Sequence, residues 1–494
     1  MYDVVVIGGG INGCGCAADA TARGLSVLLC EQDDFASQTS SKSSKLIHGG
    51  LRYLEQYNLC MVKKALDEQA ILMQIAPHLV HPLAFMLPNQ TTLRPAWLLR
   101  MGLLLYDHLS RSNPLPHSRR LRQTHYPEYF QALHNDIESG FLFYDCQTDD
   151  ARLTLSLALQ AKAQGATLHT RTKLINATAK GKHWVLTLQP QSGDPLQITA
   201  KAVINAAGPW VNPVAQAFQR SFTQSLVYVR GSHIVVPALY HGHHAYLLQA
   251  SDKRVVFVLP YHGYSLIGTT EISVSDPTEA SGITAKEIDY FKTIVRTYFK
   301  QSLPQPIATW SGIRTLCAAP GKSITQLSRD YVLDYASDPA PLVSVLSGKL
   351  TTYRRLAAEA IDTLQAVFPH MPPSSTKTVI LPGGDWQSQG LDAYIAYAQQ
   401  QYAWLDTPIL NHYLSTYGSR SEKILQDCKH QQDLGLRFGP LLYEKEIAYL
   451  KQEEWAQTAE DILWRRTKLG LSINIADRER LETYLGVNPH LDNA

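Results

Sequence analysis

Residues Asp3 to Glu31, DVVVIGGGINGCGCAADATARGLSVLLCE, constrain the fold more than any other stretch of the chain. The β-branched run Val4 to Ile7 has the continuous apolar character of a strand buried on both faces. It empties directly into Gly8, Gly10 and Gly13, in GxGxxG spacing. The first glycine permits a tight turn, the second lets backbone approach a pyrophosphate, and the third lets the following helix lie close to the strand. That helix, over roughly residues 13–23, directs its N-terminal amides and its dipole at phosphate. A second strand, Ser26 to Cys30, ends in Glu31, whose carboxylate falls where such units hold a ribose hydroxyl. Strand, glycines, helix, strand and acid in this order predict a dinucleotide-binding βαβ unit.

At 494 residues the chain exceeds one ordinary core and has room to bury a large cofactor. Lys plus Arg number 45 and Asp plus Glu 43, a formal charge of +2, so no global field marks a nucleic-acid binder. The seven cysteines (Cys14, Cys16, Cys30, Cys60, Cys146, Cys317, Cys428) are odd in number and contain no CxxC pair. That argues against a disulfide framework or a zinc site and fits a reducing cytosol. The first strand begins within a few residues of Met1, so a cytoplasmic protein without a leader is expected.

After Glu31 comes DDFASQTSSKSSKLIHGGLRYLE. Its composition reads as a flexible Ser/Thr-rich loop. Its position instead sets the hydroxyls, Lys45 and the amides from His48 to Leu51 against the rest of a bound dinucleotide. A parallel element at 166–170 and a hairpin at 173–188 lead to a strand, Ala202 to Asn205, that ends in Ala206-Ala207-Gly208, small residues that let backbone approach a ligand. Residues 228–270 alternate in the manner of an antiparallel sheet inserted between halves of the nucleotide-binding domain, a natural roof for the cofactor ring. Leu342 to Leu346 then runs into Ser347-Gly348-Lys349-Leu350-Thr351-Thr352 and a helix, a second strand, glycine and helix start aimed at the same ligand. Leu381-Pro382-Gly383-Gly384 marks a boundary, beyond which residues 386–494 read as a separate α-helical cap with no chemistry of its own. Within it WRRTKLG reads as a solvated basic face or as salt-bridged packing. The HGHH cluster at His241 to His244 lies in a turn without a carboxylate or cysteine set, and no metal site is expected there.

Leu93 to Leu109, LRPAWLLRMGLLLYDHL, is the most apolar segment. As a helix it places Trp97, Leu98, Met101, Leu104 and Leu105 on one broad face, with Arg100 and Asp107 on another. It is too short and too charged to span a bilayer. Two readings stand: a buried core helix, or a segment lying in a membrane surface.

The strings SSKLIHGGLRYLE, YDCQTDDARL, VINAAGPWV, RGSHIVVP, IGTTE, SGIRTLC, SRDYVLD, SGKLTTYR and WRRTKLG, in that order and over nearly the whole chain, resemble those of the FAD-dependent glycerol-3-phosphate dehydrogenases, the respiratory, quinone-linked type. The resemblance implies a Rossmann-type FAD-binding domain (glutathione-reductase-like) over 1–385, an inserted antiparallel β-sheet substrate domain (insertions about 53–140 and 215–315), and a C-terminal α-helical cap. It implies FAD, sn-glycerol 3-phosphate, membrane quinone and a bilayer surface as partners, with no nucleic acid and with a homodimer as an option. The protein would then be cytoplasmic and peripherally bound to the inner face of the cell membrane, and the apolar segment would be its membrane-facing helix.

Such a substrate needs a proton acceptor for its hydroxyl, a flavin for the C2 hydride and cations for its dianionic phosphate. The resemblance makes Arg52, Arg314 and Arg329 phosphate ligands, with Tyr53 and Thr269 adding hydroxyls. His233 is the foremost general-base candidate, and Lys349 is set beside the flavin or the substrate oxygen. Which of His233, Arg314 and Lys349 takes the proton stays open. Cofactor contacts are expected from Gly8, Gly10, Gly13, Glu31, Ser40, Ser44, Lys45, His48, Gly49, Gly50, Leu51, Leu174, Ala207, Gly208, Gly348, Leu350 and Thr351. The family usually carries two glycines before the lysine, where this chain has Ser347-Gly348. An oxidase of the same fold, passing electrons to oxygen or taking an amino acid or amine, is the alternative; three arginines fit a phosphate better than a single carboxylate.

Overall fold

A computed structural model describes every residue except 57, 90–93, 253, 281, 320, 322–326, 387–389 and 487–494, and leaves out the side chains of 52, 55, 56 and 280. Its first element is the βαβ unit expected from the glycines: β1 (Tyr2–Ile7), α1 (Ile11–Ala22) and β2 (Val27–Cys30). β1 lies in parallel between β2 and the strand Leu196–Asn205, with Val6 opposite both Leu29 and Ile204. Leu342–Leu346 extends the sheet on one side and Thr167–His169 on the other, both in parallel. Val4, Val5 and Val6 are fully buried, as a parallel strand covered on both faces requires. One cover is α1 with the helices Asp150–Ala163 and Tyr353–Asp362; the other is the hairpin Thr172–Lys180 and His183–Pro190, which carries Trp184 and Leu186 into the core.

The second sheet has ten strands and is mostly antiparallel. Its longest pairing sets Leu226–Pro237 against Ala308–Cys317, and Tyr264–Gly268, Val255–Tyr261 and Ala245–Gln249 continue the order. It also recruits Ser139–Thr148, paired with Val80–Pro88, and the short strand Leu46–Ile47. Ser139–Thr148 leads at once into the helix Asp150–Ala163 of the first domain. This strand is therefore a covalent seam between the two sheets.

The apolar segment is a helix, Ala96–Leu109, with only Leu103 and Tyr106 buried. Trp97 (69%), Met101 (59%), Leu98 (46%) and Leu105 (43%) are exposed. A core helix would hide these four side chains, so the core reading does not hold for this face.

Beyond residue 390, helices Leu391–Gln401, Thr407–Tyr417, Glu444–Glu453 and Ile475–Tyr484 enclose their own core of Tyr413, Tyr417, Ile447, Leu450 and Ile462. WRRTKLG is not a solvated face. Arg466 is wholly buried and ion-paired with Asp34, Arg465 shares that carboxylate, and Lys468 bonds Asp149 at 2.6 Å. Buried cations persist only when paired, and the nucleotide-binding domain supplies the carboxylates.

Candidate active site

Between the two sheets lies a cavity of about 1490 Å³. Its nucleotide end is built as the glycine spacing predicts. Gly8 has φ +111°, and a Cβ on it would lie 2.6 Å from the Ala206 carbonyl oxygen. A Cβ on Gly13 would lie 1.9 Å from the Gly8 carbonyl oxygen, so this glycine sets how closely α1 packs and does not line the cavity. Gly10 does line it and presents bare backbone. The Ile11 amide, at the start of α1, donates to Ser40 Oγ at 2.9 Å. The Glu31 carboxylate accepts from the amides of Gly9 at 2.6 Å and Asp33 at 2.8 Å. Burial outweighs those bonds and pushes its carboxyl up to about 7. Leu174, Ala207 and Gly208 complete this end. A backbone cradle that a Cβ would fill, an acid at the end of β2 and a cavity of this size fit the adenosine and pyrophosphate of FAD.

Ser44, His48, Gly50, Leu51, Gly348, Leu350 and Thr351 carry the wall onward. The two loops they come from are joined where the His48 amide donates to Thr351 Oγ1 at 3.3 Å. Lys45 and Gly49 stand behind this wall, not on it. The Lys45 ammonium is buried and bonded to Asp150 at 2.7 Å, and the Gly49 amide donates to Tyr106 Oη at 2.9 Å. A buried ammonium goes to its carboxylate. Lys45 thus holds the loop that Ser43 and Ser44 present. Ser347, at φ +67°, occupies a left-handed position that suits the glycine usual in the family.

At the far end Arg314, Arg329, Lys349, Tyr53, Thr269 and His48 meet on one wall. Arg314 Nη2 donates to Thr269 Oγ1 at 3.2 Å, Arg329 Nη1 donates to Tyr53 Oη at 3.2 Å, and the Lys349 ammonium lies 4.1 Å over the Tyr53 ring. Both arginines also pair with Glu271, Arg314 at 3.7 Å and Arg329 in direct contact. Burial lowers the Lys349 ammonium from its usual range. Burial alone would raise the Tyr53 phenol, but Lys349, Arg329 and Arg314 overcome it and the phenol is lowered. Burial, then the same three cations, pushes His48 down to about 3, so its ring is a neutral acceptor at pH 7. The Arg52 side chain lies outside the described residues.

His233 is placed differently from the expectation of a base facing the ligand. It is buried behind the wall, with Nε2 2.9 Å from Ser44 Oγ and its ring stacked on Trp310. Burial and the nearby Arg314 and Lys45 hold it well below the usual histidine range. Its hydrogen-bond partner Ser44 lines the cavity, whereas His233 itself does not. Two residues had no role assigned from sequence. Glu271 closes the quoted string IGTTE, which was its only signal. Asp145 lines the cavity beneath Gly49 and lies in the quoted string YDCQTDDARL, at the end of an apolar strand. His244, from the HGHH turn, packs into an aromatic cluster with Tyr129, Tyr240 and Tyr246, and burial brings it down to about 4.

Residues 3–354 match the family described as FAD dependent oxidoreductase, and residues 374–484 the C-terminal domain of alpha-glycerophosphate oxidase. The chain is 44% identical to a glycerol-3-phosphate dehydrogenase of Pseudomonas aeruginosa, over 99% of this chain and 96% of that protein. The chain belongs to the FAD-dependent glycerol-3-phosphate dehydrogenase family. It is also 41% identical to a D-erythritol 1-phosphate dehydrogenase of Brucella abortus, over 96% of each. Among solved structures, the glycerol-3-phosphate dehydrogenase of Bacillus halodurans complexed with FAD superposes with a TM-score of 0.77 at 25% identity, over 98% of this chain and 94% of that one. FAD is the cofactor of this family, and the glycine cradle and Glu31 are the residues of this chain that fit its nucleotide.

Proposed function

We propose that the protein oxidises sn-glycerol 3-phosphate to dihydroxyacetone phosphate and passes the electrons to a membrane quinone. The observation that carries this reading is the convergence of Arg314, Arg329 and Lys349 on one wall of the cofactor cavity. A phosphate dianion calls for several cations in a desolvated site, and planar guanidinium groups bind it bidentately. Tyr53 and Thr269 are set by those arginines to hold the glycerol hydroxyls. Neutral His48 faces the same space, and the Ser44 hydroxyl, bonded to His233, offers a relay for the proton that leaves the C2 hydroxyl. FAD, when bound, supplies the acceptor for the C2 hydride.

The acceptor side is supported by the helix Ala96–Leu109. Leu98, Met101 and Leu105 are exposed and also line the cavity mouth, so one apolar surface joins the site to the outside. No helix among the described residues is long and apolar enough to cross a membrane. A monotopic contact through this face would bring lipid-dissolved quinone to the cavity.

The kinship with an erythritol phosphate dehydrogenase favours one further reading, a longer polyol phosphate. Anaerobic titration decides among these. Glycerol 3-phosphate is expected to bleach the flavin absorbance near 450 nm at lower concentration than erythritol 1-phosphate. No bleaching by either would overturn the dehydrogenase reading, and the opposite order would move the substrate to the four-carbon phosphate.

A further inference from the structure

The C-terminal helical domain grips one turn of the nucleotide-binding domain at three points. Asp34, in the turn after Glu31, is buried, and its carboxylate accepts from Arg465 Nε at 2.6 Å and from Arg466 Nη2 at 2.8 Å. Phe35 meets Trp455 edge to face at 5.0 Å between ring centroids. The Arg171 amide donates to the Asp33 carbonyl at 2.7 Å, while the Arg171 guanidinium is tied to Asp461 at 2.6 Å. Asp461 in turn pairs with Arg465. Every outer partner in this set (Trp455, Asp461, Arg465, Arg466) belongs to the helical domain.

The inner side of the same turn touches the glycine loop. The Ala36 amide donates to the Gly9 carbonyl at 3.1 Å, and Glu31 accepts from the Gly9 amide. A Cβ on Gly9 would lie 2.5 Å from the Phe35 ring, so ring and loop are in close contact. Ala36 holds φ +58°. A residue with a Cβ is disfavoured in that left-handed region and stays there only when its surroundings fix it. Asp34, Phe35 and the gripping side chains do not themselves line the cavity, whereas Glu31, Ala36 and Gly10 do.

We infer that the C-terminal domain is a clasp for the dinucleotide. By holding Asp34 and Phe35 it presses the Glu31–Ala36 turn against Gly9 and keeps the adenosine end of the site in its binding shape. Asp34, Arg465, Arg466 and Trp455 are positioning residues for FAD, and they act without touching it. The inference rests on FAD loading and not on the choice of substrate or electron acceptor.

The test uses the full chain loaded with FAD. Release of flavin after dilution is followed by its fluorescence in wild type, Asp34→Asn, Arg465→Gln, Arg465→Lys and Trp455→Leu. FAD is expected to leave Asp34→Asn, Arg465→Gln and Trp455→Leu at least ten-fold faster than wild type, with Arg465→Lys between them and wild type. At saturating FAD, KM for glycerol 3-phosphate stays within two-fold. Thermal melts of the FAD-free proteins separate a purely structural role: the loss of Tm is expected to be larger in the loaded protein than in the empty one. FAD release within two-fold of wild type in the folded variants, or equal loss of Tm with and without FAD, overturns the clasp. Should Asp34→Asn fail to fold, Arg465→Gln and Trp455→Leu, which leave Asp34 paired with Arg466, decide the question. A wild-type protein that takes up no FAD would refute the cofactor assignment instead.

Discussion

The ammonium of Lys349 stands 4.1 Å over the ring of Tyr53. The two side chains come from distant stretches of the chain, Lys349 from the strand-to-helix turn after Leu346 and Tyr53 from the 3-10 helix Leu51–Gln56. Their contact lies on the far wall of the cavity and couples the charge of one to the acidity of the other. The Lys349 ammonium is held between the Tyr53 ring and Met61 Sδ, 3.3 Å away, and lines the cavity.

Lys349→Met keeps the stem and removes the charge. A desolvated anion that loses one of its cations forfeits about 2–5 kcal/mol. We predict a fall in kcat/KM for glycerol 3-phosphate of at least about thirty-fold, the low end of that range, with flavin content unchanged. Steady-state kinetics on the purified variant checks it, and a change of less than three-fold would place the ammonium outside the reacting region.

The glycines separate binding from folding. Gly13 is locked against the Gly8 carbonyl, whereas Gly10 faces the cavity with Ser40 Oγ, 3.1 Å from a Cβ built there, as its nearest neighbour. Gly13→Ala must push α1 away from β1, so it is expected to lower the stability of the FAD-free protein by roughly 1–3 kcal/mol. Gly10→Val fills the space of the pyrophosphate. It is expected to leave the FAD-free melting temperature nearly unchanged while abolishing the yellow colour of the purified protein. The reverse pattern would exchange the assigned roles of the two positions.

The βαβ unit and the cofactor cradle were legible because each depends on residues close in sequence: a buried β-branched run, glycines at fixed offsets, an acid at the next strand end. That five polar side chains share the far wall of the cavity was legible only through motif resemblance. Tyr53, Thr269, Arg314, Arg329 and Lys349 lie in five separate stretches, and nothing local says that they meet. Two features were hidden for a physical reason. The partner of Lys45 is Asp150, 105 residues later, so a lysine in a serine-rich loop looked like a ligand when it is a buried strut. His233 shows the same limit, since alternation along its strand does not reveal that its partner Ser44 lines the cavity and His233 itself does not. The basic run near Arg466 looked equally suited to solvent and to packing, because its counter-charge Asp34 lies more than 400 residues earlier.

Asp145 predicts a pH effect. It accepts from Tyr106 Oη at 2.7 Å, Gln69 Nε2 at 3.0 Å and the Gly49 amide at 3.3 Å, yet burial pushes its carboxyl from 3.8 up to about 7. A folded-state value above the unfolded one means that the folded protein keeps a proton that the unfolded chain has released. The resulting stability is fully present below pH 3.8 and is lost as pH rises through about 7. Asp145→Asn stays neutral throughout and removes this slope. Melting temperatures of wild type and Asp145→Asn, measured from pH 5 to pH 8, are expected to shift in favour of the asparagine protein as pH rises, by on the order of 2–3 kcal/mol. Parallel curves would show that Asp145 is ionised at both ends of the range.

The exposed helix carries the last prediction. Trp97, Leu98, Met101 and Leu105 lose no core contact when made polar, because they are already 43–69% exposed. Exposed Arg111, Arg119 and Arg120 lie in the segments that follow, where they can meet anionic headgroups. Moving a leucine- or methionine-sized side chain out of an apolar phase costs roughly 1.5–3 kcal/mol. Replacing Leu98, Met101 and Leu105 together by glutamate is therefore expected to release the protein from anionic liposomes and to suppress quinone reduction, while glycerol 3-phosphate still bleaches the flavin. Trp97→Glu separates the two effects, since Trp97 does not line the cavity. It is expected to weaken liposome binding about ten-fold, at the low end of the cost of losing one such contact, and to leave reduction of a water-soluble quinone unchanged. Full liposome binding by a folded triple variant would move the membrane contact to another face, and loss of flavin bleaching would show that these side chains serve the substrate end of the cavity.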